Sequence, residues 1–133
     1  IPQNNRSQEM TVRGRSVILD AYNANPTSMR AALKSFSKTL SPKTALLGDM
    51  FELGHYAEEE HQALVDFAEH LSIDSLYWVG NHFHKTVLPS SKHHQFENLE
   101  ALKEHITSNP LPEGNLMIKG SRGMKMETII DLI

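Results

Sequence analysis

The chain has no cysteine, which excludes disulfides and thiolate catalysis and fits a reducing compartment such as the cytoplasm. No apolar run approaches the length of a membrane span, so no membrane insertion is expected. Charge is nearly balanced, with 13 basic and 16 acidic residues and a formal net charge of −3. No global positive field therefore favours nucleic acid. There is no G-x-x-x-x-G-K-[ST] phosphate loop, no nucleophile elbow, and no nucleophile with a credible base. Eight histidines are present, but His82-x-His84 and His93-His94 are too local to build a site. With no carboxylate spaced to complete one, no metal is expected. The opening Ile1-Pro2-Gln3-Asn4-Asn5-Arg6 lacks the apolar core of a signal peptide and reads as part of an interdomain linker over residues 1–9.

What is present fits one soluble domain of 133 residues and 15.0 kDa, with 39% hydrophobic and 22% charged residues. Such a chain buries roughly two-thirds of its unfolded surface. Thr11-Val12 and Ser16–Leu19 make either a hairpin around Gly14 or two successive strands. Met29, Leu33, Phe36 and Leu40 recur at helical spacing after Pro26, and Ser41-Pro42 ends that helix. Thr44–Leu47 is a short buried strand. A second helix runs from about Ala57 to Leu71, with Glu58, Glu59 and Glu60 in its first turn, where the helix dipole favours negative charge. Ser75–Val79 is the next strand, residues 82–88 a short helix, and His94–Phe96 a weak strand. Leu99, Leu102 and Ile106 mark a third helix, stopped by Asn109-Pro110. Leu116–Ile118 is a further strand, and Met126, Ile129, Ile130 and Ile133 form a last helical stripe. Strands alternating with connections of helical length require parallel pairing. The expected fold is α/β: a Rossmann-like, doubly wound, mostly parallel sheet with helices on both faces, a three-layer sandwich.

Three polar clusters follow strands, where α/β folds bind ligands. In Asp20-Ala21-Tyr22-Asn23-Ala24-Asn25-Pro26 the carboxylate of Asp20 suits a ribose diol or, more plainly, a braced turn. Asn23 and Asn25 offer donors and acceptors to a nucleotide, and Asn25 also suits the N-cap of the helix beginning at Pro26. In Leu47-Gly48-Asp49-Met50-Phe51-Glu52-Leu53-Gly54, Asp49 and Glu52 make an anionic pocket for an ammonium, or a solvated loop. His61 either braces that loop or faces solvent. Lys119-Gly120-Ser121-Arg122 supplies donors for a carboxylate or phosphate, helped by the positive end of a following helix, with Gly120 and Gly123 allowing close backbone approach. Binding groups are present and a catalytic engine is not.

Together these clusters resemble the carboxy-terminal domain of the Mur ligases, the ATP-dependent enzymes that extend the peptide of the peptidoglycan precursor. The resemblance rests on Asp20–Pro26 with Ser28-Met29, on Leu47–Gly54, on His61, on Lys119–Arg122 with Met126-Glu127, and on Arg6-Ser7. It covers nearly the whole chain. Asp-x-Tyr-Asn-Ala-Asn and Gly-Asp-Met-x-Glu-Leu-Gly point to the branch that adds D-alanyl-D-alanine to the UDP-N-acetylmuramoyl-tripeptide. The resemblance implies a Rossmann-like third domain that closes over ATP and the incoming substrate. It acts with an N-terminal and a central ATPase domain that lie outside this chain, and the central one holds the phosphate loop and most magnesium ligands. It further implies nucleotide contacts from Arg6, Asp20, Asn23 and Asn25. Dipeptide contacts are implied from Asp49, Glu52, Lys119, Ser121 and Arg122, with His61 as loop support. No catalytic residue and no tightly bound ATP or Mg2+ are expected in the domain alone. Another Mur-type or folylpolyglutamate-type ligase, or a nucleotide-binding module without chemistry, remains open as an alternative.

Overall fold

A two-residue turn starts the fold. The computed structural model describes residues 7–133, beginning with β1 (Gln8–Val12) and β2 (Arg15–Asp20), which pair antiparallel. Arg13 (φ 49°) and Gly14 (φ 82°) are both left-handed, the geometry that matches the twist of two flanking strands. The hairpin alternative is the one adopted. The chain continues through α1 (Pro26–Phe36), β3 (Lys43–Gly48), α2 (Ala57–Glu69), β4 (Ser75–Val79), α3 (Asn81–His84), β5 (His93–Phe96), α4 (Leu99–Ser108) and β6 (Asn115–Lys119). The sheet order is β1-β2-β6-β3-β4-β5, and every pairing from β2 to β5 is parallel.

Alternation of side chains along each strand builds two cores. Ala45, Leu47, Leu76, Trp78 and Met117 face Met29, Leu33 and Phe36 of α1 and Leu64, Val65 and Ala68 of α2. Their neighbours Leu46, Tyr77, Val79, Leu116 and Ile118 face Leu102 and Ile106 of α4, with Met126 and Ile129 of the last segment. The central strands are apolar on both sides because both sides are covered. The result is the expected three-layer α/β sandwich. Among the described residues, no helix is long and apolar enough to cross a membrane.

Two expectations need correction. Leu40 is not part of the α1 stripe: α1 ends at Phe36, and Leu40 is 82% exposed. The hydroxyls of Ser37 and Thr39 donate to the carbonyls of Lys34 and Phe36 (2.6 and 2.7 Å). These local bonds compete with continued helix. The last stripe is also not an α-helix. It is two 3-10 segments, Arg122–Met124 and Met126–Leu132, separated by left-handed Lys125 (φ 56°). The apolar period survives, since Met126 and Ile129 are buried, but no α-helical N-terminus stands behind Arg122.

The edge strand β5 carries a buried polar relay. Trp78 Nε1 donates to His93 Nδ1 at 3.0 Å. The other ring nitrogen, Nε2, therefore bears the proton and donates to Glu69 Oε1 at 2.9 Å. Burial holds His93 below its ordinary protonation midpoint, against the pull of Glu69. Burial, with repulsion from His105 and His93, does the same to His94. His61 of α2 is likewise depressed, chiefly by burial. An unfolded chain protonates these histidines near 6.5, whereas the folded chain resists. Below that pH the unfolded state binds more protons, and stability is lost as pH falls, at up to about 1.4 kcal/mol per pH unit for each such group. Urea unfolding at pH 7.5 and 5.5 checks this: the midpoint should be lower at 5.5, and an equal or higher midpoint contradicts the buried-neutral assignment.

Candidate functional site

The polar clusters meet at the carboxyl ends of four adjacent strands. Registers align Asp20 with Lys119, Lys119 with Leu47, and Gly48 with Val79. Backbone bonds continue past the strands: Gly120 N donates to Asp20 O, Asp49 N to Val79 O, and Arg122 N to Tyr22 O (3.1, 2.9 and 3.1 Å). The chain leaves β2 toward α1 on one face and leaves β6 toward the opposite face. Divergence of this kind opens a crevice beyond the strand ends.

Asp20 and Lys119 form the floor of the crevice. Lys119 is 2% exposed, and its ammonium donates to Asp20 Oδ2 at 2.7 Å and to Asn23 O at 3.0 Å. A buried ammonium needs such partners, because an uncompensated charge in the interior is costly. The pair ties β2 to β6 and pins the loop that follows β2. Asp20 Oδ1 is buried and has no hydrogen-bond partner among the described residues. Beside the pair lies a cavity of about 350 Å³, walled by Ile18, Met117 and Phe36 and by the small residues Ser28, Ala31, Ala32 and Ser35 of α1. Asn25 Oδ1 accepts from Ser28 N at 2.8 Å, and Ser28 returns a bond to Asn25 N, so Asn25 caps α1. Asn23 is exposed at the rim.

The loop after β3 is built inward. Asp49 is 3% exposed, and its two carboxylate oxygens accept from the backbone N–H groups of His82 and Phe83 (2.9 and 3.0 Å) at the start of α3. Gly80 (φ 128°) lets β4 pass this carboxylate, since a Cβ there would overlap the Asp49 side chain. His61, fully buried, places Nδ1 2.6 Å from Ala57 O and Nε2 3.0 Å from Met50 N. A carbonyl only accepts and an N–H only donates, which makes the ring the neutral Nδ1–H tautomer. His61 therefore braces the loop. Glu52 stands exposed in left-handed backbone (φ 63°), next to the 45% exposed ring of Phe51.

The loop after β6 carries the exposed Arg122. The Arg122 guanidinium carbon sits 4.1 Å from the centroid of the Tyr22 ring, a cation–π contact. Ser121 Oγ donates to Asp49 O at 3.4 Å. Gly120 and Gly123 serve the chain's own packing: a Cβ at Gly120 would lie 2.7 Å from Met126 Cγ, and one at Gly123 would lie 3.0 Å from the Phe51 ring.

The structure thus brings Asp20, Asn23, Asn25, Asp49, Ser121 and Arg122 onto adjoining loops. Lys119 is committed to the β2 loop, and the Asp49 carboxylate to α3. Arg6 lies outside the described residues. Sequence reasoning missed Tyr22 as the platform for Arg122, although it sits inside the first motif. It also missed the Asp20–Lys119 pair, whose register depends on a strand inserted 99 residues later. Among the described residues, no group of three or more His, Asp or Glu is placed to hold a metal ion.

Residues 5–122 match the family model described as Mur ligase, glutamate ligase domain. The chain is 34% identical over 130 residues to a UDP-N-acetylmuramoyl-tripeptide--D-alanyl-D-alanine ligase of Rickettsia prowazekii, covering 95% of this chain and 29% of that protein. It is 36% identical over 138 residues to the enzyme of the same name from Bacillus subtilis, covering 92% and 29%. A crystal structure of MurF from Acinetobacter baumannii superposes with a TM-score of 0.79 at 33% identity, covering 96% of this chain and 29% of that one. MurF from Thermotoga maritima in complex with ADP shares the fold, with a TM-score of 0.74 at 19% identity, covering 96% and 30%. The chain spans less than a third of the length of these relatives.

Asp49 and Gly80 form one structural unit, and both are expected to be intolerant of change. Asp49→Ala removes a charged acceptor from two buried backbone donors and should cost about 2–4 kcal/mol. Gly80→Ala adds backbone strain and a steric clash, costing about 3 kcal/mol or more. Chemical denaturation of both variants checks this, and loss of under about 1 kcal/mol in either would show that the carboxylate is not bound as described.

Proposed function

The chain belongs to the Mur ligase family, and on that premise we propose that it is the closing, carboxy-terminal domain of an ATP-dependent ligase. The reaction joins D-alanyl-D-alanine to the UDP-N-acetylmuramoyl-tripeptide during peptidoglycan precursor synthesis in the cytoplasm. The observation that carries this reading is the meeting of three polar loops at one crevice beyond the strand ends, with an Asp20 oxygen unpaired among the described residues on one side and the exposed Arg122 on the other. Such a domain clamps substrates while a partner domain supplies the phosphoryl-transfer groups, with ATP and Mg2+ held chiefly there. In the reaction ATP gives its γ-phosphoryl group to the tripeptide carboxylate, leaving ADP; the deprotonated dipeptide amine then attacks the acyl carbon, and inorganic phosphate leaves as the amide bond forms.

Within this division, Asp20 keeps one oxygen on Lys119 and offers the other to a donor such as a nucleotide hydroxyl. Asn23 lies exposed beside it. Arg122, held on Tyr22, meets the dipeptide carboxylate with its planar fork, aided by Ser121. Glu52 is the exposed carboxylate able to orient the ammonium end. Lys119, Asp49 and His61 act by positioning the loops rather than by touching substrate.

Steady-state kinetics of the full-length ligase test the assignment. Arg122→Lys should raise KM for D-alanyl-D-alanine on the order of 10- to 100-fold, the loss of about 1.5–3 kcal/mol expected for a charged hydrogen bond, with little change for ATP. The reverse pattern would move Arg122 to the nucleotide. Asp20→Ala should lower kcat/KM for ATP by a similar factor, and unchanged ATP parameters would leave Asp20 a purely structural role. The 133-residue chain by itself should show no ligation, and measurable turnover would sink the proposed division of labour.

A further inference from the structure

We propose that His61 is a positioning residue whose neutral ring latches the Gly48–Leu53 loop to α3, and that a proton on it releases both together. Three contacts meet at this ring. Nε2 accepts the Met50 N–H at 3.0 Å, Nδ1 donates to Ala57 O at 2.6 Å, and Nε2 also lies 3.8 Å from Asp49 Oδ1. The same Asp49 oxygen accepts from Phe83 N. The ring is further enclosed by α3, with His82 at a centroid distance of 4.8 Å and Phe83 at 4.5 Å.

A second proton has one place to go, on Nε2. There it faces the Met50 N–H, donor against donor, so that bond is lost. The new N–H can be satisfied by Asp49 Oδ1, which draws the carboxylate away from Phe83 N. The loop and the first turn of α3 therefore move as one unit. The titratable groups facing the ring are Asp49 from the loop, His82 from α3 and Glu60 from α2 itself. Asp49 and Glu60 favour the proton; His82 and burial oppose it, and burial dominates. The neutral latch is thus the resting state at neutral pH, and it loosens on acidification. Phe51 and Glu52, exposed on the latched loop at the crevice, lose their fixed positions with it.

The inference does not depend on which ligand the crevice takes, and NMR of the 15N-labelled 133-residue chain tests it without any ligation assay. The His61 ring nitrogens should report the Nδ1–H tautomer at pH 7.5. On acidification the Met50, His82 and Phe83 amides should shift with one shared midpoint, equal to that of the His61 ring and below 6.5. His61→Gln cannot titrate, so the shared transition should vanish while the variant's fold is kept. If that variant does not fold, His82→Gln serves: removing the neighbouring charge should move the His61 midpoint upward, carrying the three amides with it. An Nε2–H tautomer, or an amide transition whose midpoint differs from that of the His61 ring or that persists in His61→Gln, would overturn the proposal.

Discussion

The ion pair between Asp20 and Lys119 is the interaction on which the site depends. It joins the last residues of β2 and β6. It also reaches Asn23 O, so one buried ammonium fixes both the sheet and the loop above it. Buried pairs rarely add much stability, because desolvation offsets the attraction. Their contribution here is geometric: the pair fixes where the β2 and β6 loops stand relative to each other, and it orients a carboxylate whose second oxygen has no partner among the described residues.

A similar economy governs the other side of the crevice. Asp49 sits at the end of β3, yet its carboxylate points into the protein and caps α3. His61 takes the next amide along, that of Met50. Asp49 and Lys119 are therefore committed to placing backbone, which leaves Arg122, Ser121, Glu52 and Asn23 toward the rim. Loops held in place in this way reduce the ordering cost of meeting a ligand.

The fold was largely legible in the sequence because apolar period and punctuation agree along the chain. Val17–Leu19, Ala45–Leu47, Leu76–Val79 and Leu116–Ile118 are apolar runs closed by polar or glycine residues, and each is a parallel strand. Asn25-Pro26 and Asn98 begin helices with side-chain caps. The failures have local causes. Leu40 continues the α1 period, but hydroxyl bonds at Ser37 and Thr39 end the helix first. Ile129, Ile130 and Ile133 keep helical spacing through a 3-10 segment, which period alone does not separate from an α-helix. The site was legible as a set of loops, since motif and strand end coincide. The partners within it were not: whether Lys119 faces ligand or Asp20 depends on strand order, and no local pattern encodes that order.

The central claim is that these loops form one composite site, with the nucleotide side at β2 and the dipeptide side at β3 and β6. Amide chemical shifts of the 15N-labelled chain, titrated separately with ATP and with D-alanyl-D-alanine at high concentration, test it most directly. ATP should perturb Asp20–Asn25, and the dipeptide should perturb Gly120–Gly123 and the Phe51–Glu52 tip. Perturbations centred on α4 and β5, or the same residues responding to both ligands alike, would contradict it.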